Sequence, residues 1–214
     1  MKYSRFSANF PFRIEGLDHL KTAILAGKGV IVCGYHMHIL DLSCRTLAEK
    51  IERDLKHPVA VVYQAHKNSL VDHFLYRWRR RYASEVFRRK ELKKILAWLK
   101  IGNVLFYAPD QDFGQAPSVF APFMGVSTAT LTAPARMLQH TGAVLIPACF
   151  FRNKGEWVLQ LLAPLDHYPS GDEVLDATRL NAVYEPMIRQ HPEQYLWQHR
   201  RFKTRPLGVA SFYE

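Results

Sequence analysis

His36 and Asp41 are the side chains in this 214-residue chain best suited to moving a proton, and they lie five positions apart in Gly34-Tyr35-His36-Met37-His38-Ile39-Leu40-Asp41. On one continuous helix five steps leave two side chains about 140° apart, so there they would not meet. They can meet if His36 sits in a loop and Asp41 in the first or second turn of the helix that follows. The carboxylate would then hold one ring nitrogen and leave the other to act as a general base. Two other readings stand beside this dyad. A His or Asp at a helix start is often only a cap. Cys33, His36, His38, Asp41 and Cys44 are also potential metal ligands, although no second Cys/His cluster and no paired zinc spacing accompany them.

The apolar run Val30-Ile31-Val32-Cys33 opens a predicted strand at 30–35, and Leu40, Leu42, Leu47, Ala48 and Ile51 after it form the inward stripe of a helix to about Leu55, closed by Pro58. A short helix over 16–25, apolar at 17, 20, 24 and 25 with Gly27 and Gly29 as stops, precedes them. Val59-Ala60-Val61-Val62-Tyr63 and Val104-Leu105-Phe106-Tyr107 are strand-length apolar runs, as expected of strands buried on both faces. Ser69 is the predicted N-cap of a further helix. Leu92, Ile95, Leu96 and Leu99 give another its buried side. A loop through Pro117 and Pro122 leads to a helix near 131–141. The runs 143–151 and 157–162 flank Asn153-Lys154-Gly155 as a hairpin, and a helix near 172–190 precedes the closing segment. Strands alternating with helices predict an α/β sandwich in one domain, 1–214, with a flexible start over 1–12 and a C-terminal helix and tail over 193–214.

Ala108-Pro109-Asp110-Gln111-Asp112-Phe113-Gly114 follows a strand at its C-terminal end, where α/β sheets gather their sites. Asp110 is placed to receive an arginine, and amides leading to Gly114 could face an oxyanion; an ordinary Asx/Gly turn is the other reading. Between Arg77 and Lys94 stand nine basic residues: Arg77, Arg79, Arg80, Arg81, Arg88, Arg89, Lys90, Lys93 and Lys94. With a formal net charge of +10 they point to a polyanionic neighbour, whether nucleic acid, an anionic bilayer or an acidic carrier protein. The three cysteines, Cys33, Cys44 and Cys149, sit in apolar patterns and read as reduced buried thiols. The start, Met1-Lys2-Tyr3-Ser4-Arg5-Phe6, lacks the apolar core of a signal peptide, and no apolar run has the length of a membrane span.

Several blocks in order resemble the late acyltransferases of lipid A biosynthesis, within the wider HX4D/E acyltransferase group. They are Glu15-Gly16-Leu17-Asp18, His36-x4-Asp41, Val62-Tyr63 with His66-x-Asn68, and Arg89-Lys90-Glu91-Leu92-Lys93. Tyr107 through Gly114, Phe120-Ala121-Pro122-Phe123, Glu193-Gln194-Tyr195-Leu196-Trp197 and His199 through Pro206 complete the set. HX4D alone is weak; the Asp110 block and the closing block together are strong. The resemblance covers about residues 11 to 208. It departs in two places: the family's usual N-terminal membrane helix is not in this chain, and the acid of the dyad, commonly Glu in these lipid A enzymes, is Asp41 here.

The resemblance implies a glycerolipid-acyltransferase-like fold with a mixed, mostly parallel central sheet flanked by helices. It implies transfer of a fatty acyl chain from acyl carrier protein, the co-substrate carrying its phosphopantetheine arm, to a hydroxyl of a Kdo-bearing lipid A precursor. No other cofactor, no metal and no covalent intermediate are expected. His36 is the implied base, Asp41 its orienting acid, and Arg89, Asp110 and Gly114 the oxyanion support. Asp112, Trp197, Arg200 and Arg201 are expected at the substrate, with packing the competing reading for the last three and His38 only a neighbour of the site. The expected partners are acyl carrier protein, the lipid A precursor and the anionic inner-membrane surface, bound peripherally on its cytoplasmic face, and no nucleic acid. A glycerolipid acyltransferase with the same dyad and a non-catalytic basic binding protein are the rivals. A serine hydrolase is disfavoured because no Gly-x-Ser-x-Gly elbow occurs.

Overall fold

The structure is a computed structural model that describes residues 12–213. The elements run β1 (Phe12–Glu15), α1 (Leu17–Leu25), β2 (Val30–Gly34), α2 (Leu40–Leu55), β3 (Val59–Tyr63), α3 (Ser69–Arg79), β4 (Glu85–Arg88), α4 (Leu92–Lys100) and β5 (Val104–Tyr107). β6 (Ser118–Phe123), β7 (Val126–Leu131), α5 (Ala133–Thr141), β8 (Val144–Asn153), β9 (Glu156–Leu161) and α6 (Glu173–Gln190) follow. The main sheet has seven strands in the order β1-β9-β8-β2-β5-β3-β4, and β6–β7 form a separate hairpin. Within the main sheet only the β8–β9 pair is antiparallel, so five of its strands run one way and β1 and β9 the other. The expected mixed, mostly parallel sheet is present.

β2 is the centre of the molecule. All five of its residues are buried, as a strand flanked by β5 and β8 and covered on both faces requires. Val30, Ile31 and Val32 are β-branched and suit a pleated, enclosed strand. Around it Leu47 and Ile51 of α2, Leu99 of α4 and Leu105 of β5 are fully buried, each contributing about 1.5–3 kcal/mol of transfer free energy. Gly29, just before β2, lies so close to the Leu99 carbonyl that a Cβ there would collide with it.

The winding of the chain determines where a site can form. From β2 the chain crosses by α2 to β3 on one side; from β5 it leaves by the hairpin and α5 to β8 on the other. Right-handed crossovers then put α2 and α3 over one face and α4 and α5 over the other. β2 and β5 are neighbours whose chains depart to opposite faces. That opens a crevice beyond their C-terminal ends, at the topological switch point.

Four expectations differ from the observed elements. The loop at Pro117–Pro122 is the β6–β7 hairpin, the basic run holds the short strand β4, and Asn68 rather than Ser69 caps α3, its Oδ1 accepting from the Leu70 and Val71 amides. The predicted helix after 193 is two single 3-10 turns, Pro192–Gln194 and Trp197–His199, with Tyr195 extended between them and bridging antiparallel to Met37. The expected loose start lies outside the described residues except for Phe12, which opens β1.

Candidate active site

β2 and β5 pair in parallel with Cys33 opposite Tyr107. His36 and Asp110 each stand three residues beyond that pair, so the sheet register brings them face to face above the crevice. His36 Nδ1 lies 2.6 Å from Asp110 Oδ1, and the His36 amide donates to Asp110 Oδ2 at 2.8 Å. Tyr195 hydroxyl donates to the same Oδ2 at 3.0 Å. Asp110 is fully buried and accepts three hydrogen bonds. Burial pushes its acidity the other way, but the charge and hydrogen bonds of His36 outweigh it and hold the carboxyl below its usual range. The same pair acts on the imidazole in the opposite sense. Burial depresses it, the Asp110 carboxylate more than offsets that with Asp41 adding at longer range, and the His36 pKa ends above its ordinary 6.5. With Nδ1–H held by Asp110, Nε2 is the nitrogen left to accept a proton.

The acid that grips His36 is therefore Asp110 and not Asp41. Asp41 does sit in the first turn of α2, as expected, but its carboxylate is taken by Arg79, whose Nε and Nη2 reach Oδ1 and Oδ2 at 3.0 Å each. Among the described residues Asp110 receives no arginine. Arg89 instead lays its guanidinium over the Phe113 ring, 4.1 Å from the centroid, and has no carboxylate partner among the described residues. Among those residues no group of three or more His, Cys, Asp or Glu side chains could hold a metal ion. Cys33 is a buried free thiol pushed up to about 12 by burial.

A cleft of about 780 Å³ opens over this pair. His36, Asp41, His66, Arg79, Arg89 and Gln111 make its polar part; Val32, Leu40, Cys44, Val61, Leu75, Phe106 and Phe150 make an apolar part between the sheet and α2. Gly34 lets the Phe150 ring pack close to the backbone of β2, because a Cβ there would come within 2.7 Å of the ring.

The family model described as "Bacterial lipid A biosynthesis acyltransferase" matches residues 2–204. The chain belongs to that family. It is 36% identical over 205 residues to the lipid A biosynthesis palmitoleoyltransferase of Escherichia coli (strain K12), covering 94% of this chain and 65% of that protein. It is 37% identical over 205 residues to the lauroyltransferase of the same strain, covering 94% of this chain and 64% of that one, and 25% identical over 203 residues to the myristoyltransferase, covering 94% and 61%. The chain thus spans just under two thirds of the length of these relatives.

In this lipid A acyltransferase family member the closing block builds the site from behind. The Leu196 amide donates to the His36 carbonyl at 2.9 Å and the His38 amide to the Gln194 carbonyl at 3.0 Å, while Gln194 fastens β8 through both the amide and the carbonyl of Arg152. Sequence reasoning missed Tyr195 as a partner of the His36–Asp110 pair. Its place in the quoted Glu193–Trp197 block was the only signal, and nothing in its spacing from Asp110 could reveal a contact 85 positions away. His199 joins the chain, its Nε2 3.3 Å from the Tyr195 hydroxyl, and burial holds it below the usual histidine pKa.

None of the four residues expected at the substrate, Asp112, Trp197, Arg200 and Arg201, lines the cleft. Asp112 accepts from the Gly114 amide at 2.8 Å and from the Thr204 amide and hydroxyl, both at 2.8 Å, so it ties the tail to the Asp110 loop. That same bond uses the Gly114 amide, which with φ +86 closes an Asx/Gly turn rather than facing an oxyanion. Arg201 is fully buried, donating to the Ala129 carbonyl at 2.5 Å and Thr130 Oγ1 at 2.9 Å, with its guanidinium 5.3 Å from the Phe123 centroid. Arg200 lies over Tyr213, and Trp197 donates to the Pro192 carbonyl at 2.7 Å. Neither lines the cleft, whose rim the closing block enters through Leu196. His38 does line it, with Nδ1 3.1 Å from the Gln194 carbonyl.

Proposed function

We propose that this cleft transfers a fatty acyl chain from the thioester of acyl carrier protein to a hydroxyl of a Kdo-bearing lipid A precursor, with His36 as general base. The observation that carries this reading is the His36–Asp110 pair beside a cleft that has both a polar and an apolar lining. The acyl chain lies in the apolar part, which puts the thioester carbonyl near His36. Neutral His36 takes the proton of the attacking hydroxyl on Nε2 as the oxygen adds to the carbonyl carbon. The C–S bond then breaks, and the proton on the imidazolium goes to the departing phosphopantetheine thiolate. The oxygen bonds directly to the acyl carbon, so no acyl-enzyme forms. Asp110 fixes the tautomer and stabilises the imidazolium as it forms. Arg89, without a carboxylate of its own, stabilises the developing oxyanion. The bidentate Asp41–Arg79 pair lines the polar part of the cleft; Asp41 adds to the basicity of His36 and Arg79 takes part of that back.

The basic surface suits the partners of such a reaction. Arg79, Arg80, Arg88 and Lys94 are paired with Asp41, Glu85, Asp72 and Glu91 respectively. Arg77, Lys90 and Lys93, like Arg89, have no carboxylate partner among the described residues. They are available to the acidic carrier protein, to sugar phosphates or to anionic headgroups. Peripheral attachment to the cytoplasmic face of the inner membrane fits this charge; no helix among the described residues is long and apolar enough to cross a membrane. The test is transfer of labelled acyl chains from acyl carrier protein to a Kdo-bearing tetra-acyl precursor in detergent, with lysophospholipid as competing acceptor. Transfer to the precursor that disappears in His36→Ala supports the reading. Transfer to lysophospholipid alone replaces it with a glycerolipid acyltransferase.

A further inference from the structure

α3 is amphipathic in the inverted sense. Of its eleven residues only Asp72 is buried, accepting from the His66 amide at 2.9 Å and pairing with Arg88. Arg79, two turns on along the same side, turns inward to Asp41. The polar side thus faces the protein. The opposite side carries Leu70, Phe74 and Trp78 at i, i+4 and i+8 with Val71 beside them, and these are 64%, 64%, 39% and 39% exposed. Residues so spaced share one stripe about 100° wide. An apolar stripe on a solvent-facing helix, its inner side held by ion pairs, marks an interaction surface rather than a misplaced core.

We infer that α3 is the element by which this protein lies on an anionic lipid bilayer, the Leu70–Phe74–Trp78 stripe entering the headgroup–acyl boundary. Charge selects this occupant. Between positions 66 and 81 stand Lys67, Arg77, Arg79, Arg80 and Arg81 against the one carboxylate of Asp72, and basic residues flanking a Trp/Phe/Leu face are the composition of an interfacial helix. Position supports it as well. Leu75 and Trp78 of the same helix line the cleft over His36, so a bilayer touching the stripe lies beside the cleft. A lipid-borne substrate could then pass its chains along α3 without entering water. The inference deepens the proposed function and rests on it for the substrate, but the binding surface is testable without any catalysis.

The experiment is flotation of the protein with vesicles of phosphatidylethanolamine and phosphatidylglycerol, and with phosphatidylcholine vesicles as the uncharged comparison. Parent protein is expected to float with the anionic vesicles, and Leu70→Glu/Phe74→Glu to bind them at least tenfold more weakly with an unchanged circular dichroism spectrum. Both positions lie outside the cleft lining, so the double variant keeps transfer to a detergent-dispersed acceptor and loses transfer to the same acceptor in vesicles. Equal vesicle binding by parent and variant overturns the inference. So does parent self-association, seen by sedimentation without vesicles and abolished by the substitutions, because the stripe would then be a contact between copies. If parent shows no acyl transfer at all but its flotation depends on Leu70 and Phe74, the surface stands and the proposed reaction falls.

Discussion

Two segments that border one cleft are held in opposite ways. The His36 turn is tied by β2 behind it, by Asp110 through two bonds, and by the Gln194–Leu196 strand through two backbone hydrogen bonds. α3 is held by its Asn68 cap and by two ion pairs, Asp72–Arg88 and Arg79–Asp41, and offers its apolar side to solvent. Over-determined geometry is what a proton-transfer group needs, since small displacements of a base cost large factors in rate. A helix with little buried apolar area opens locally at low cost, which suits an element that meets a lipid and admits a chain. On the proposed reading, the difference separates where bonds change from where substrate arrives.

The sharpest way to break this contrast is His36→Ala. Loss of a general base costs about 10²–10⁴-fold in rate, with the fold intact because the turn's backbone bonds remain. Single-turnover transfer measures it, and a variant within threefold of the parent would remove His36 from the chemistry. Asp110→Asn follows, with an expected loss of about 10²-fold or more and a second signature in pH. In the parent His36 works when neutral, so the rate rises with pH through an apparent pKa above 6.5. Without the carboxylate, burial dominates and that limb moves to lower pH. Titration of His36 by NMR should show a larger downward shift in Asp110→Asn than in Asp41→Asn. The reverse order would return the orienting role to Asp41.

The stability side of the same pair carries its own sign. His36 has a raised folded pKa, so its contribution is fully present below its unfolded pKa near 6.5 and fades as pH rises through the folded value. Asp110 has a lowered one, so its contribution is present above its unfolded pKa of about 3.8 and is lost as pH falls through the folded value. Arg201→Leu tests the structural side of the comparison. Its guanidinium is fully buried on Ala129, Thr130 and Phe123, and replacing it removes a donor from the Ala129 carbonyl and one of two from Thr130 Oγ1, at a cost of about 1–3 kcal/mol by denaturant unfolding. The folded fraction should keep its KM for the acceptor. A raised KM with full stability would put Arg201 back at the substrate.

Much of this was legible in the residues. The periodicities at 30–33, 59–63 and 104–107 fall on β2, β3 and β5, and the 143–162 hairpin on β8–β9, because long apolar runs in enclosed strands have no competing period. β4 escaped because Glu85-Val86-Phe87-Arg88 is four residues long inside a run of charge, and β6 because Pro122 reads as a loop. In the site, the positions of His36, Asp41 and Asp110 relative to their elements were predictable, and their pairing was not. Which acid meets His36 follows from Cys33 standing opposite Tyr107, a register set by tertiary packing and absent from local spacing. The buried fates of Arg201 and Asp112 depend likewise on the β6–β7 hairpin and the tail, both invisible to periodicity.

The smallest expected effect is the most discriminating for the clamp. Tyr195→Phe removes one of three donors to Asp110 and nothing else from the turn, since the backbone bonds of 194–196 to His36 and His38 do not use the hydroxyl. A lost buried hydrogen bond costs about 1 kcal/mol, read as a lower denaturant midpoint with an unchanged m-value. The carboxylate, less satisfied by donors, attracts the imidazolium more strongly, so the His36 pKa and the acid limb of the rate profile move to higher pH, opposite to Asp110→Asn. Opposite shifts from removing a carboxylate and removing a donor to it are what a His36–Asp110–Tyr195 chain requires. If Tyr195 only filled space, Tyr195→Phe would leave the limb where it is.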